Sequence, residues 1–401
     1  VETIKNQDQI SVLLESLSND HGEPHWFTEK RLAALDIIAD RPLPTISGID
    51  LQQQLAQLYS PDMKWRRSDK QLLKAANIED ADIQIVKIGQ TAVELRLPDE
   101  LDDQGVILTD LFAAFREHPL LAEKFFMSKA VLPDENSLTA YHAAFLNNGI
   151  FLYIPENVKV DQPIELHLIQ DNTSNQAMVA HILIVAEKNA KASIITNLSS
   201  VGDQANPADC VTEIIAKRGS AINMTAVNRL GNNQLTYLKE RATVGAQATI
   251  NQLTTLLNRG NTVMAADYQL TGHNARSQAK TVALTSGQQQ MVIQNQIHGL
   301  GKQANGTLQQ RGVQLGESHL TIKALNDTND KVQAADSQIL ALDATNTDCL
   351  DQQRRSNQPV KTRQQLVQDY FKPIIGNQTT KSFYARLIQS INDRLDKLVI
   401  K

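Results

Sequence analysis

One short element recurs along the middle of this 401-residue chain, and it restricts the possible folds more than any other feature. KNAKASI (188–194), RGSAINM (218–224), VGAQATI (244–250), HNARSQA (273–279) and QANGTL (303–308) each place a small polar turn before a new apolar alternation, at steps of about 26 to 30 residues. A fixed period of that size marks stacked repeats, each burying its apolar side only against its neighbours. Between the turns lie short alternating runs of strand length: GIFLYIP, PIELHLI, AHILIVAE, ASIITNLS, VTEIIA, AINMTAVNRL, LTYLKER and ATINQLTTLL. The expectation is a mainly β chain built on a right-handed parallel β-helix, a solenoid, over residues 140–348.

Composition agrees with a thin stacked core. Only 4% of residues are aromatic, while Gln and Asn are abundant. Each coil contributes few inward side chains, so Val, Ile, Leu, Thr and Ala fit better than rings, and the outer faces carry polar amides. A disordered Gln/Asn-rich segment would lack the regular apolar alternation.

The flanks differ in period. ISVLLESL (10–17), HWFTEKRLAALDIIAD (25–40) and LTDLFAAFREHPLLAEKFFM (108–127) have helical spacing, while ADIQIVKI and TAVELRLP alternate like strands. Residues 1–139 therefore read as an N-terminal helical and mixed domain. A polar connector at 349–362 leads to a C-terminal helical domain at 363–401, in which Pro373 and Gly376 separate two helices. The final helix places Phe383, Leu387 and Ile391 near one face, and such a face must pack on something.

Several functions are excluded or disfavoured at this stage. No stretch approaches the roughly 20 apolar residues that span a bilayer, and the net charge of -5 gives no broad basic footprint for nucleic acid. The opening VETIKNQDQI has no secretory pattern, so a cytoplasmic protein is expected. Two cysteines, Cys210 and Cys349, exclude a disulfide framework and a self-contained four-cysteine site. No GxxxxGK[ST] phosphate loop is present. MKWRRSDKQLLK (63–74) is the one concentrated basic segment, and it reads as a helix start capped by Ser68 or Asp69.

In wording and order the segments resemble the SufB/SufD family of the Suf iron–sulfur cluster assembly system, its SufD branch more than SufB. PHWFTEKRLAALDIIADRPLP (24–44) looks like the family's opening helix, GIFLYIPENVKVDQPIELHLI (149–169) like the start of its β-helix, and AHILIVAEKNAKASIITNLSS (180–200) like the first full coil. Residues 298–348 follow its later coils. The resemblance covers nearly the whole chain, with two departures: the Cys-Ser-His-Gly-Ala-type stretch that follows the last coil in the family is absent, and the Phe-x-Gly of the family's late coils appears here as LTIKALND. Cys349 lies near where that stretch would begin, and the last histidine of the chain is His319.

The resemblance implies a non-catalytic scaffold that pairs with a SufB-like subunit through the β-helix, or with a second copy of itself, and binds a SufC-like ABC ATPase through the C-terminal helices. ATP hydrolysis would belong to that ATPase, and no cofactor would be held stably beyond a transient iron–sulfur cluster shared with a partner. The candidate metal ligands are Cys349, Cys210, His298 and His319; Cys210 in DCVTEII reads first as a small core residue, and the histidines as structural. Candidate partner contacts are Tyr370, Phe371, Phe383, Leu387 and Ile391. A polysaccharide-active β-helix enzyme and a self-assembling structural solenoid are the alternatives.

Overall fold

The computed structural model describes residues 7–41, 43, 46, 49, 67–68, 71–76, 78, 80–231, 235–328, 336–342, 363–375 and 388–392. Seventeen strands form two sheets that share one interior. The nine-stranded sheet runs β17-β15-β13-β11-β9-β7-β5-β1-β2 and the eight-stranded sheet β16-β14-β12-β10-β8-β6-β4-β3. The ranges are β1 Gln84–Ile88, β2 Thr91–Arg96, β3 Ile107–Asp110, β4 Asn148–Ile154, β5 Ile164–Asp171, β6 Met178–Ala186, β7 Lys191–Val201, β8 Ala208–Ala216 and β9 Ala221–Arg229. They continue as β10 Leu235–Val244, β11 Thr249–Leu256, β12 Asn261–Leu270, β13 Arg276–Thr285, β14 Gln290–Gly299, β15 Asn305–Leu315, β16 His319–Thr328 and β17 Asp336–Leu342. From β4 onward successive strands alternate between the sheets and pair in parallel with the strand two places away, as in β10 with β8 and β12. This is a parallel β-solenoid.

The repeated turn is the corner where each coil leaves the eight-stranded sheet. Asn157, Asn189, Gly219, Gln247, Asn274 and Gln303 all take positive φ, between 55° and 71°. Asparagine and glycine tolerate this left-handed region best, which explains their recurrence in the sequence. The corners stack as well as turn: Asn189 N–H donates to Arg218 O, Gly219 N–H to Ala246 O, and Gln247 N–H to His273 O. The next residue is buried at every corner, Val158 at the first and Ala190, Ser220, Ala248, Ala275 or Ala304 at the others, so the later corners hold a small side chain there.

Among the described residues the interior is mainly aliphatic from Ile83 to Leu320, and Tyr268 is the one ring in it. Elsewhere the rings gather where the helices meet the solenoid. The helices are α1 Gln7–His21, α2 His25–Asp40, α3 Leu72–Ala76, α4 Asp99–Asp103, α5 Leu111–Glu117, α6 Pro119–Phe125, α7 Ser137–Phe145 and α8 Arg363–Ile375. Phe27, Phe112, Phe115 and Phe126 pack edge-on or tilted between α2, α5 and the solenoid. Their cluster includes the outward residues Val179, Leu183, Val211, Tyr237 and Val263 of the eight-stranded sheet.

The N-terminal region contributes more to the solenoid than its helical pattern implied. β1 pairs in parallel with β5, and β3 pairs antiparallel with β4, so three strands before residue 140 belong to the sheets. The helical stretch expected over 108–127 is interrupted twice. Its first residues lie in β3, whose Asp110 accepts the N–H of Phe112 and Ala113 and so starts α5, and Pro119 at the first turn of α6 breaks the ladder after Glu117. Of the two expected caps Asp69 lies outside the described residues, and the Ser68 hydroxyl donates instead to Asp171 (2.8 Å), tying this segment to β5. In the C-terminal region α8 runs on through Pro373 to Ile375.

Arg31 joins the helical layer to the solenoid. Its guanidinium is fully buried and bonds both oxygens of Glu23 (2.9 and 2.7 Å). It also donates to the carbonyls of Ala144 and Leu146 (2.7 Å each), buried acceptors at the end of α7. Burial alone would raise the Glu23 pKa, but Arg31 and hydrogen bonds from His21 and Ser18 outweigh it and hold the carboxyl at about 2.

Candidate functional site on the late coils

The expected ligand residues are dispersed. Cys210 on β8 points into the aliphatic interior, where burial, and then the Asp209 charge, push its thiol well above its usual pKa. A thiol held protonated there is a poor ligand for iron. Cys349 lies outside the described residues. His298 and His319 sit on β14 and β16, but His319 pairs with Gln290, eight positions from His298 along the strand. That spacing separates them by about 26 Å, too far to share a metal. Among the described residues no group of three or more His, Cys, Asp and Glu could hold a metal ion.

His298 belongs instead to a row of charges on the outward face of the eight-stranded sheet. Its Nε2 lies 3.5 Å from Asp267 on β12, Asp267 pairs with Arg241 on β10 (2.9 Å), and Arg241 meets Glu135. Lys239, two residues earlier on β10, also pairs with Glu135 (2.8 Å). The alternation of the strands puts Lys239, Arg241, Asp267 and His298 on the same outer face. Burial alone would raise the Glu135 pKa, but the two cations and the Leu132 N–H lower it. The row follows the border where the helical layer ends, and His319, Lys323 and Leu325 lie exposed on the last strand beyond it.

The C-terminal residues are placed on the opposite sheet. Phe371 and Ile391 are fully buried in a cluster with Val282, Leu284, Val313 and Leu315, the outward residues of β13 and β15. Arg311 fixes the helix there by donating to Tyr370 O (2.8 Å) and lying over the Tyr370 ring. The apolar face expected to await a partner is thus occupied by the chain's own solenoid at these positions. Phe383 and Leu387 lie outside the described side chains. Among the described side chains of α8, Gln365, Asp369, Lys372 and Pro373 are exposed.

Two polar groupings had no signal in the sequence. His142 on α7, His181 on β6, and Asp209 and Glu213 on β8 form a buried chain. Asp209 Oδ2 is 3.2 Å from His142 Nδ1, His142 Nε2 is 3.1 Å from His181 Nδ1, and His181 Nε2 is 3.0 Å from Glu213 Oε2. Glu213 also accepts the N–H of Met127 and Val131, so this chain clamps the loop after α6 to the sheet. Burial lowers the His181 pKa against the pull of Glu213. The second grouping is inside the solenoid: Glu240 accepts from Tyr268 Oη (2.6 Å) and Gln252 Nε2 (2.9 Å). Further along, Asn295 donates to Thr281 and Gln310. The members of each grouping come from different strands or layers, apart from Asp209 and Glu213, which share β8, so no local motif linked them.

Comparison with known proteins follows the same span. Residues 81–166 match the family profile described as SufBD protein N-terminal region, and residues 168–341 match SUF system FeS cluster assembly, SufBD core domain. Together these reach from β1 almost to the end of β17, and they meet within β5. The chain is 32% identical to the iron–sulfur cluster assembly protein SufD of Bacillus subtilis, over 75% of this chain and 71% of that one. It is 26% identical to a SufBD family protein of Pyrococcus horikoshii over 79% and 75%. With the iron–sulfur cluster assembly protein SufB of Bacillus subtilis the identity is 22%, over 82% and 73%.

Proposed function

The chain belongs to the SufB/SufD family of iron–sulfur cluster assembly proteins, and from that premise we propose that it is a SufD-like, non-catalytic scaffold. It pairs with a SufB-like subunit and binds a SufC-like ABC ATPase, which hydrolyses the ATP. The observation that carries this reading is the match of the two family profiles to consecutive spans, the helices and first strands of 81–166 and the solenoid of 168–341, with higher identity to a SufD than to a SufB. Family membership also favours it over a polysaccharide-active enzyme or a self-assembling solenoid.

The geometry is compatible with each contact. Among the described residues, β16 and β17 end their sheets without an outer neighbour, and unpaired strand edges are templates for pairing with another chain. A second β-helix, SufB-like or a second copy, docks there. The ATPase docks on the exposed face of α8 at Gln365, Asp369 and Lys372, with Phe371 and Ile391 holding that helix on β13 and β15. The nascent cluster is cargo. Since the described residues hold a single, interior thiol, most of its ligands come from the partner.

Co-expression with a SufB-like and a SufC-like protein tests the proposal. A stable complex with raised ATPase activity is expected. Failure to form any complex with the C-terminal helices intact would refute it. In the same complex, Cys210→Ala and Cys349→Ala report on cluster yield; full yield from both removes this chain's thiols from the ligand set.

A further inference from the structure

The stacked corner that defines the fold also concentrates charge. Consider the two residues on either side of each left-handed residue, from Asn157 to Gln303. These six five-residue corners hold seven Lys and Arg (Lys159, Lys188, Lys191, Lys217, Arg218, Arg276 and Lys302) against two carboxylates, Glu156 and Glu187. The chain as a whole is at -5, so this ridge is a local reversal of sign. Both carboxylates are engaged within the ridge, Glu156 by Lys188 (2.6 Å) and Glu187 by Lys217. Lys159, Lys191, Arg218, Arg276 and Lys302 are exposed, and His273 is exposed between the last coils.

Folding alone gives no reason for this arrangement. Lys159 and Lys191 are direct neighbours in a parallel bridge, and like charges placed side by side across a ladder are destabilising. Coils rise by about 4.8 Å, so five steps carry the ridge over about 24 Å. No Trp, Tyr or Phe occurs in any of the six corners. Single-stranded nucleic acid is held by aromatic stacking as well as charge, so the ridge lacks half of that apparatus. An anionic membrane surface would also call for an apolar wedge, and the ridge has no ring to supply one.

We propose that this corner ridge is a docking surface for an acidic protein segment, an extended stretch rich in Asp and Glu that runs along the coils. Lys159, Lys191, Arg218, Arg276 and Lys302 contact its carboxylates, and the ladder spacing sets their positions. This inference is independent of the family reading and of the edges and helix assigned above.

The test measures binding of a Glu-rich peptide to the full-length protein at low salt and at about 0.15 M salt. Three proteins are compared: wild type, the triple variant Lys159→Glu/Lys191→Glu/Arg276→Glu, and the control Lys74→Glu/Lys129→Glu/Lys323→Glu. The control changes exposed lysines elsewhere and has the same net charge. All the altered side chains are exposed, and circular dichroism verifies that each variant is folded. The expected result is salt-sensitive binding by wild type and control, weakened about tenfold or more in the ridge variant. Absence of peptide binding to wild type, or equal loss in ridge and control variants, overturns the proposal. So does tighter ridge-dependent binding of oligo-dT or of phosphatidylserine vesicles than of the peptide.

Discussion

Replacing Glu240 by Gln probes the solenoid interior most directly. The side chain lies between Leu238 and Ala242 on the inward face of β10, and burial raises its pKa from 4.5 to about 7, with the Tyr268 hydrogen bond pulling the other way. A carboxyl whose pKa is higher in the folded state costs nothing below both values, because it is neutral in both states. Above both, folding must bury a charge. The penalty therefore accrues as pH rises from about 4.5 to about 7, and 2.5 units at 1.36 kcal/mol each amount to about 3 kcal/mol. Glutamine keeps an acceptor for Tyr268, and the Gln252 amide, turned over, can offer its unpartnered Oε1 to the new N–H. Urea unfolding of both proteins at pH 4.5 and pH 8 gives the answer by difference, since other titrating groups cancel. Near-equal stability is expected at the lower pH, and an advantage of about 3 kcal/mol for Glu240→Gln at the higher. A variant that gains nothing on going to pH 8 would refute the claim that an interior carboxyl opposes folding there.

Three further outcomes are expected. Arg31→Ala leaves Glu23 and the end of α7 without their partner and should cost about 3–5 kcal/mol, read by urea or thermal unfolding; the wild-type pair, present above pH 4.5, should weaken only as pH falls towards 2, where Glu23 takes up a proton. Gly272→Ala would drive a Cβ into the backbone of Gly245 and Ala246 on the coil below, so it should lower the melting temperature, whereas alanine at Gly287, which has no heavy atom within 4 Å, meets only the strain of its φ of +64°. Phe371→Ala removes a fully buried ring between α8 and the outer face of β13 and β15, a loss of about 3–5 kcal/mol of local stability; hydrogen exchange should accelerate in α8 while β6 to β12 keep their protection. Unchanged exchange in α8 would mean that Phe371 does not anchor it.

The solenoid was legible because its determinants are local and repeated. The left-handed corners take a residue such as Asn, Gly or Gln, after the first corner always followed by a small one, and each strand shows a period of two, so KNA, RGS, AQA, HNA and KQA announce the coil directly. The helix at 25–40 was equally plain from its spacing. The candidate site was not. The Asp209–His142–His181–Glu213 chain and the Glu240–Tyr268–Gln252 group join residues from different strands or layers, and nothing local says which polar side chains meet once the coils stack.

The sequence by itself therefore determined the parallel solenoid, its period and its scarcity of interior rings, because backbone angle, residue size and strand alternation act over a few neighbours. Only the tertiary structure decided that β1 and β3 enter the sheets ahead of the repeats, and that Phe371 and Ile391 are covered by β13 and β15. It also brought the corner lysines into one ridge and set His298 and His319 far apart. Those outcomes depend on which coils stack and which face a helix meets, and long-range packing carries that information while no single segment does.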